Sequence, residues 1–342
     1  MAKAVEGGWT LGFLDQNRPV AAGDGCADAA RRGETKVALD LRHAGHCDLT
    51  IRFETHGAGG APTVIVAGGI SADRHVIGSA QFPDPGWWES LAGSLDLQSL
   101  QLLAIDWLGA DGTIDAPIDP ADQARAIAAV LDELGIERAA AFVGASYGGM
   151  VGMHFAALFP HRIGRLVTLC ASDRPHPFSS ALRALQRRAV TLVEGGANAA
   201  SGVALARALA ILTYRTPAEF ALRFDGEPTI ADGVVRTAAE DYLDVQGERL
   251  AGRLSATAYR RLSESIDLHR VDPAAIACPV TLIAADSDQL VPIADVERLS
   301  GALSGASLHV ITSLFGHDSF LKEAAQIDAI LSPILSNLEE QP

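Results

Sequence analysis

A run of 21 residues without Asp, Glu, Lys or Arg, AAAFVGASYGGMVGMHFAALF at 139–159, constrains this chain more than any other feature. It is long enough to cross a bilayer, but four glycines, a Ser, a Tyr and a His interrupt it. It reads as a buried strand, a tight turn and a buried helix. At its centre Gly144-Ala145-Ser146-Tyr147-Gly148 fits G-x-S-x-G. A turn that tight needs small residues around the Ser, and its strained backbone lifts the hydroxyl above the sheet. The helix N-terminus behind it favours developing negative charge. Ser146 is therefore the candidate nucleophile, against the bland reading of a plain turn.

The surrounding pattern supports that context. DLTIRFETHG alternates polar and apolar residues, as a half-buried strand does. TVIVAGGI, LQLLAIDWLG, RAAAFVGAS and RLVTLCAS are apolar runs of strand length. DPGWWESLAGS reads as a loop leading into a short helix. DPADQARAIAAVLDELG at 119–135 is an amphipathic helix, with Asp119 or Asp122 as cap and Gly135 after its last apolar residue. The β–α–β alternation predicts a mostly parallel sheet with helices on both faces. From Pro175 to about Arg261 the patterns turn helical, and no buried strand interrupts them. The α/β rhythm then resumes with ACPVTLIAADSDQLVP, a helix at 294–303, the strand ASLHVIT and a final helix at 324–337. The expected division is an unassigned segment at 1–45 holding one or two strands, a core at 46–174 and 262–342, and an inserted helical lid at 175–261.

A nucleophilic Ser needs a base and an orienting acid, in the chain order Ser, Asp/Glu, His. Asp286 and Asp288 both follow the strand PVTLIAA, at the strand end where α/β sheets place their ligands. His317 follows the last strand in Gly316-His317-Asp318. Ser146 as nucleophile, His317 as general base and Asp288 as orienter form the expected triad. An oxyanion needs two backbone N–H donors. One is Tyr147, the residue after the nucleophile; the other is Ile70 or Gly69 in AGGISADRH. These residues describe an α/β-hydrolase fold with a helical lid, which by itself selects no reaction.

Composition removes other classes. Hydrophobic residues are 48% of 342, enough for a sizeable core, and the formal charge of -15 argues against non-specific nucleic-acid or anionic-membrane binding. The cysteines at 26, 47, 170 and 278 form no CxxC pair and suggest neither a disulfide framework nor a zinc ribbon. MAKAVEGGWTLGFLDQ has no apolar signal core, so a cytoplasmic setting is expected. His43, His46 and Cys47 lie close together, but nothing completes a metal set and none is expected. Trp87-Trp88 reads as packing, and Cys170 as inert core.

The lid segments LTYRTPAEFALRF, DYLDVQGERL and SESIDLHRVDP, together with GWWE, LQRRAV, GHDSFL and the elbow GASYGGM, resemble the homoserine O-acyltransferases of methionine biosynthesis. The resemblance spans roughly residues 48–335. It implies ping-pong transfer from an acyl-CoA, through an acyl-Ser146 intermediate, to the hydroxyl of L-homoserine, with no resident cofactor. It also implies a homodimer. That family holds its amino acid with residues matching Arg207, Tyr214 and Asp318 here. Family members using succinyl-CoA tend to carry an Arg after the catalytic Asp; Gln289 stands there, which leans toward acetyl-CoA. Seven Arg (174, 183, 187, 188, 207, 215, 223) against Glu194 and Glu219 make the lid locally basic, fit for CoA phosphates or simply a charged helical surface. Two departures stand out: the short loop WLGADGTIDAP, and the first 45 residues. The competing readings are a serine O-acyltransferase, an esterase or thioesterase, and a non-catalytic binding module, against which the intact triad argues.

Overall fold

The computed structural model of the chain describes residues 29–193 and 199–338. Cys26 and most of the unassigned N-terminal segment therefore lie outside the described residues. The described end of that segment holds a strand: β1 (Arg31–Leu41) forms a long hairpin with β2 (Gly45–Gly57), from Arg31 opposite Thr55 to Leu41 opposite Gly45.

β2 pairs antiparallel with β4 (Gln101–Ile105), and β3 (Thr63–Ala67) lies parallel beside β4. β5 (Ala141–Ala145), β6 (Leu166–Leu169), β9 (Val280–Ala285) and β10 (Ser307–Ile311) continue the parallel part. The order across the eight-stranded sheet is β1-β2-β4-β3-β5-β6-β9-β10.

Side chains alternate across the sheet, so each buried strand feeds two cores. Ile65, Leu103, Phe142 and Leu282 pack on one face with Ile127 and Leu131 of α1 (Pro120–Glu133) and Val151 of α2 (Tyr147–Leu158). Val64, Leu102, Val143 and Ile283 pack on the other face with Ile327, Leu331 and Leu335 of the C-terminal helix.

Asp119 caps α1 and accepts from Ala121 N at 2.9 Å, while Asp122 accepts from Asp119 N at 3.2 Å, so the two candidate caps act together. The uncharged run at 139–159 folds as β5, the turn at Ser146 and α2. Among the described residues no helix is long and apolar enough to cross a membrane.

Between β6 and β9 the chain builds the lid. It comprises α3 (Pro177–Val193), α4 (Ala199–Tyr214), α5 (Pro217–Phe224), α6 (Ala238–Ala251) and α7 (Ala256–Leu268). α7 runs across the expected boundary at 261. A two-stranded hairpin, β7 (Thr229–Ala231) and β8 (Val234–Arg236), also interrupts the helices. Its turn residues Asp232 and Gly233 have φ of 51° and 78°, the left-handed pair that a two-residue hairpin loop needs. α8 (Ile293–Ala302), α9 (Ser319–Lys322) and α10 (Ala324–Ser336) complete the core.

Candidate active site

Ser146 sits between β5 and α2 with φ 54° and ψ -118°. A non-glycine residue holds such a backbone only when its surroundings enforce it. Here they do. A Cβ on Gly144 would run into the Gly148 carbonyl, and one on Gly148 would run into the Ala67 carbonyl. Gly148 N also donates to Gly68 O at 2.8 Å, which draws the loop after β3 against the start of α2.

The structure brings the three expected triad residues together. His317 Nε2 lies 2.8 Å from Ser146 Oγ, and His317 Nδ1 lies 2.7 Å from Asp288 Oδ2. Asp288 Oδ1 accepts from Leu290 N at 2.8 Å and Val291 N at 3.0 Å. Asp286 is exposed and instead accepts from Ser313 N at 3.0 Å. The choice between the two acids is thus made by the turn after β9. Burial alone would lower the pKa of His317, but the charge of Asp288 and its hydrogen bond outweigh it, and the net direction is up. Cys170 is buried 3.5 Å from Ser319 Oγ, and burial pushes its thiol up, away from a reactive thiolate.

Tyr147 is the first residue of α2, so no preceding turn of helix supplies a carbonyl to its N–H. Its ring is fully buried, and its hydroxyl pairs with Ser265 Oγ at 2.7 Å. Gly69 and Ile70 line the same cavity as Ser146 and His317. The loop that carries them is tied down at several points. Trp107 Nε1 donates to Gly69 O at 3.0 Å, Trp87 Nε1 donates to Asp73 O at 2.9 Å, and Arg74 pairs with Asp106. At its far end His75 Nδ1 meets Glu54 Oε1 at 2.8 Å. Burial works to raise the Glu54 carboxyl, but His56, Arg32 and His75 bond to it and hold it at about 2. His46 Nδ1 lies 3.0 Å from Asp40 Oδ1, within the hairpin of β1 and β2.

A model of the α/β hydrolase fold matches residues 62–324. The homoserine O-succinyltransferase of Xanthomonas campestris is 53% identical over 323 residues, covering 93% of this chain and 88% of that protein. The chain belongs to the homoserine O-acyltransferase family. The homoserine O-acetyltransferase of Thermus thermophilus is 32% identical, covering 84% of this chain and 86% of that protein. Solved structures share the fold. The homoserine O-acetyltransferase from Bacillus anthracis has a TM-score of 0.81 at 17% identity, covering 90% of this chain and 97% of that one. An acetylester hydrolase from Corynebacterium glutamicum has a TM-score of 0.73 at 17% identity, covering 90% and 96%.

This member of the homoserine O-acyltransferases encloses the Ser146 hydroxyl in a cavity of about 450 Å³. Arg207, Tyr214 and Asp318 all line it. The Arg207 guanidinium lies 5.3 Å from the Tyr214 ring centroid, and that ring lies 5.9 Å from the His317 ring. Burial raises the Tyr214 pKa, so its hydroxyl stays protonated. Six of the seven lid arginines divide into two groups. Arg183 and Arg187 pair with Asp267 at 2.6 and 2.7 Å, and Arg215 and Arg223 pair with Glu219 at 2.6 and 3.0 Å. Arg174 and Arg207 line the cavity and, among the described residues, have no ion-pair partner. The sequence showed Arg215 only as one of the lid's basic residues and missed its pairing: its Nε donates to Asp318 Oδ2 at 2.7 Å. Gln289 is exposed and does not line the cavity.

Proposed function

We propose that this chain transfers an acyl group from an acyl-CoA to the hydroxyl of L-homoserine through an acyl-Ser146 intermediate. The observation that carries the reading is one cavity holding both the Ser146–His317–Asp288 hydrogen-bond chain and the lid residues Arg207, Tyr214 and Asp318. His317 takes the Ser146 proton as Oγ attacks the thioester carbonyl. The N–H groups of Ile70 and Tyr147 receive the oxyanion. The tetrahedral intermediate collapses, the C–S bond breaks, and CoA leaves with the proton from His317. The homoserine hydroxyl then gives its proton to His317 and attacks the acyl-Ser carbonyl. Collapse returns the proton to Ser146 and releases the O-acyl ester.

Arg207 binds the acceptor carboxylate, Tyr214 positions it, and Asp318 holds its ammonium. Arg174, exposed on the cavity rim, suits the CoA phosphates. The lean toward acetyl rests on the neutral Gln289 after Asp288. The name of the 53% identical relative supports succinyl-CoA as donor. No resident cofactor or metal enters this scheme. Leu192, Leu222 and Ile230 of the lid are apolar and exposed, at 84%, 75% and 75%, and the family resemblance supports a homodimer. Cys47, Cys170 and Cys278 are unpaired, which supports a cytoplasmic setting.

The test is CoA release from acetyl-CoA and succinyl-CoA, each with homoserine, with serine and with no acceptor. Homoserine-dependent release supports the transferase and identifies the donor. Release that ignores the acceptor makes the protein a thioesterase. Ser146→Ala abolishes the acyl-enzyme, and a labelled peptide elsewhere in the chain overturns the mechanism.

A further inference from the structure

We propose that Trp107 is a positioning residue that holds both oxyanion donors in place. The inference rests on reading Ile70 and Tyr147 as those donors. Trp107 follows β4 and is 4% exposed. Its indole N–H donates to Gly69 O at 3.0 Å. The Gly69 carbonyl and the Ile70 N–H belong to one planar peptide, and among the described residues there is no cis peptide bond. A hydrogen bond that fixes the carbonyl therefore fixes the N–H on the opposite edge of the same plane. Ala72 N also donates to Gly69 O at 3.0 Å, but that bond closes a turn within the loop itself, whereas the indole ties the carbonyl to the end of β4. Gly68-Gly69 is also the dipeptide with the least steric restriction on its backbone.

The same indole reaches the second donor. Its ring meets the Tyr147 ring edge-on, with centroids 5.0 Å apart at 73°. Tyr147 is thus held between Trp107 and Ser265 of the lid. The Trp107 loop is itself anchored, because Gln123 of α1 accepts from Leu108 N at 2.9 Å and donates to Leu108 O at 3.1 Å. One rigid side chain thereby touches the peptide of one donor and the side chain of the other. Donation to Gly69 O also polarises the amide and strengthens its N–H as a donor.

The test replaces Trp107→Phe, which keeps a ring and removes the N–H. A second variant carries 3-benzothienylalanine at 107, an isostere of Trp without the donor, so loss of packing cannot explain its effect. Rates of activated-ester hydrolysis are measured per Ser146 titrated by a fluorophosphonate, together with inhibition by a boronic acid that forms a tetrahedral adduct. Both variants lose about 10- to 100-fold in kcat, somewhat less than deletion of a whole oxyanion donor. The boronic acid weakens by the same factor, while the homoserine KM changes less than about two-fold. Unchanged kcat per titrated serine in the isostere overturns the proposal, as does a fall in kcat with unchanged boronic acid affinity. Ester hydrolysis needs only the triad and the oxyanion donors. Failure of homoserine transfer in the unmodified protein would therefore sink the transferase reading and leave this test standing.

Discussion

Asp288→Asn is the substitution whose consequence follows most directly from the geometry. Asp288 Oδ1 is held by two backbone donors, Leu290 N and Val291 N, at 2.8 and 3.0 Å. An Asn amide in that pocket must place its oxygen on the same donors. Its NH2 then faces His317 Nδ1, where the carboxylate lay at 2.7 Å. That nitrogen becomes an acceptor, so the ring proton moves to Nε2 and points at Ser146. The base can no longer take the serine proton, and the imidazolium that forms in the transition state loses its carboxylate. Two unit charges about 4 Å apart at an effective dielectric of about 20 interact by about 4 kcal/mol. At about 1.4 kcal/mol per tenfold, acylation should slow by about 10³-fold. Single-turnover CoA release, followed with a thiol reagent, measures it. The pH profile supplies a second reading. His317 must be neutral to act, so activity falls as pH drops through its raised pKa, and that acid limb should move to lower pH in the variant. Linkage runs the other way: the stability contributed by the charged pair is fully present below the unfolded value of 6.5 and is lost as pH rises through the raised one. A loss under about ten-fold, or an unmoved acid limb, refutes the reasoning.

Gly148→Ala should destabilise the fold by about 3 kcal/mol or more, because the new Cβ meets the Ala67 backbone; a urea midpoint equal to the parent's refutes the elbow packing. Arg215→Ala leaves Asp318 without its partner and the buried Glu219 with Arg223 alone, at a cost of about 2 kcal/mol, and it should raise the homoserine KM; urea denaturation and steady-state kinetics check the two effects. Burial, then the neighbouring His154, lowers the His269 pKa to about 3. The folded state therefore resists protonation, and stability should fall as pH drops from 6.5 toward 3, with His269→Gln flattening that slope in urea midpoints taken across the range.

The elbow was legible because its chemistry is tied to local backbone geometry: Gly144 and Gly148 are small where a side chain would strike backbone. Asp286 and Asp288 were not separable by pattern, since both follow the same strand. The Leu290 and Val291 N–H groups separate them, and only the folded turn shows that. β1 was obscure because five of its eleven residues are charged and it lies at the sheet edge, where burial imposes little alternation. The lid hairpin was missed because each strand has three residues, too few for a period. The lid's basic island shows a deeper limit. Counting charge gave seven arginines, but Arg183 and Arg187 are held by Asp267, and Arg215 and Arg223 by Glu219. Arg183 and Asp267 are 84 positions apart, and Arg215 and Asp318 are 103 apart. Such pairs join at distances no local pattern encodes. A guanidinium already paired with a carboxylate offers a ligand little attraction, so the cations open to a substrate are those the fold leaves without an acid. Arg207, beside Tyr214 and within the cavity of Ser146, meets that condition.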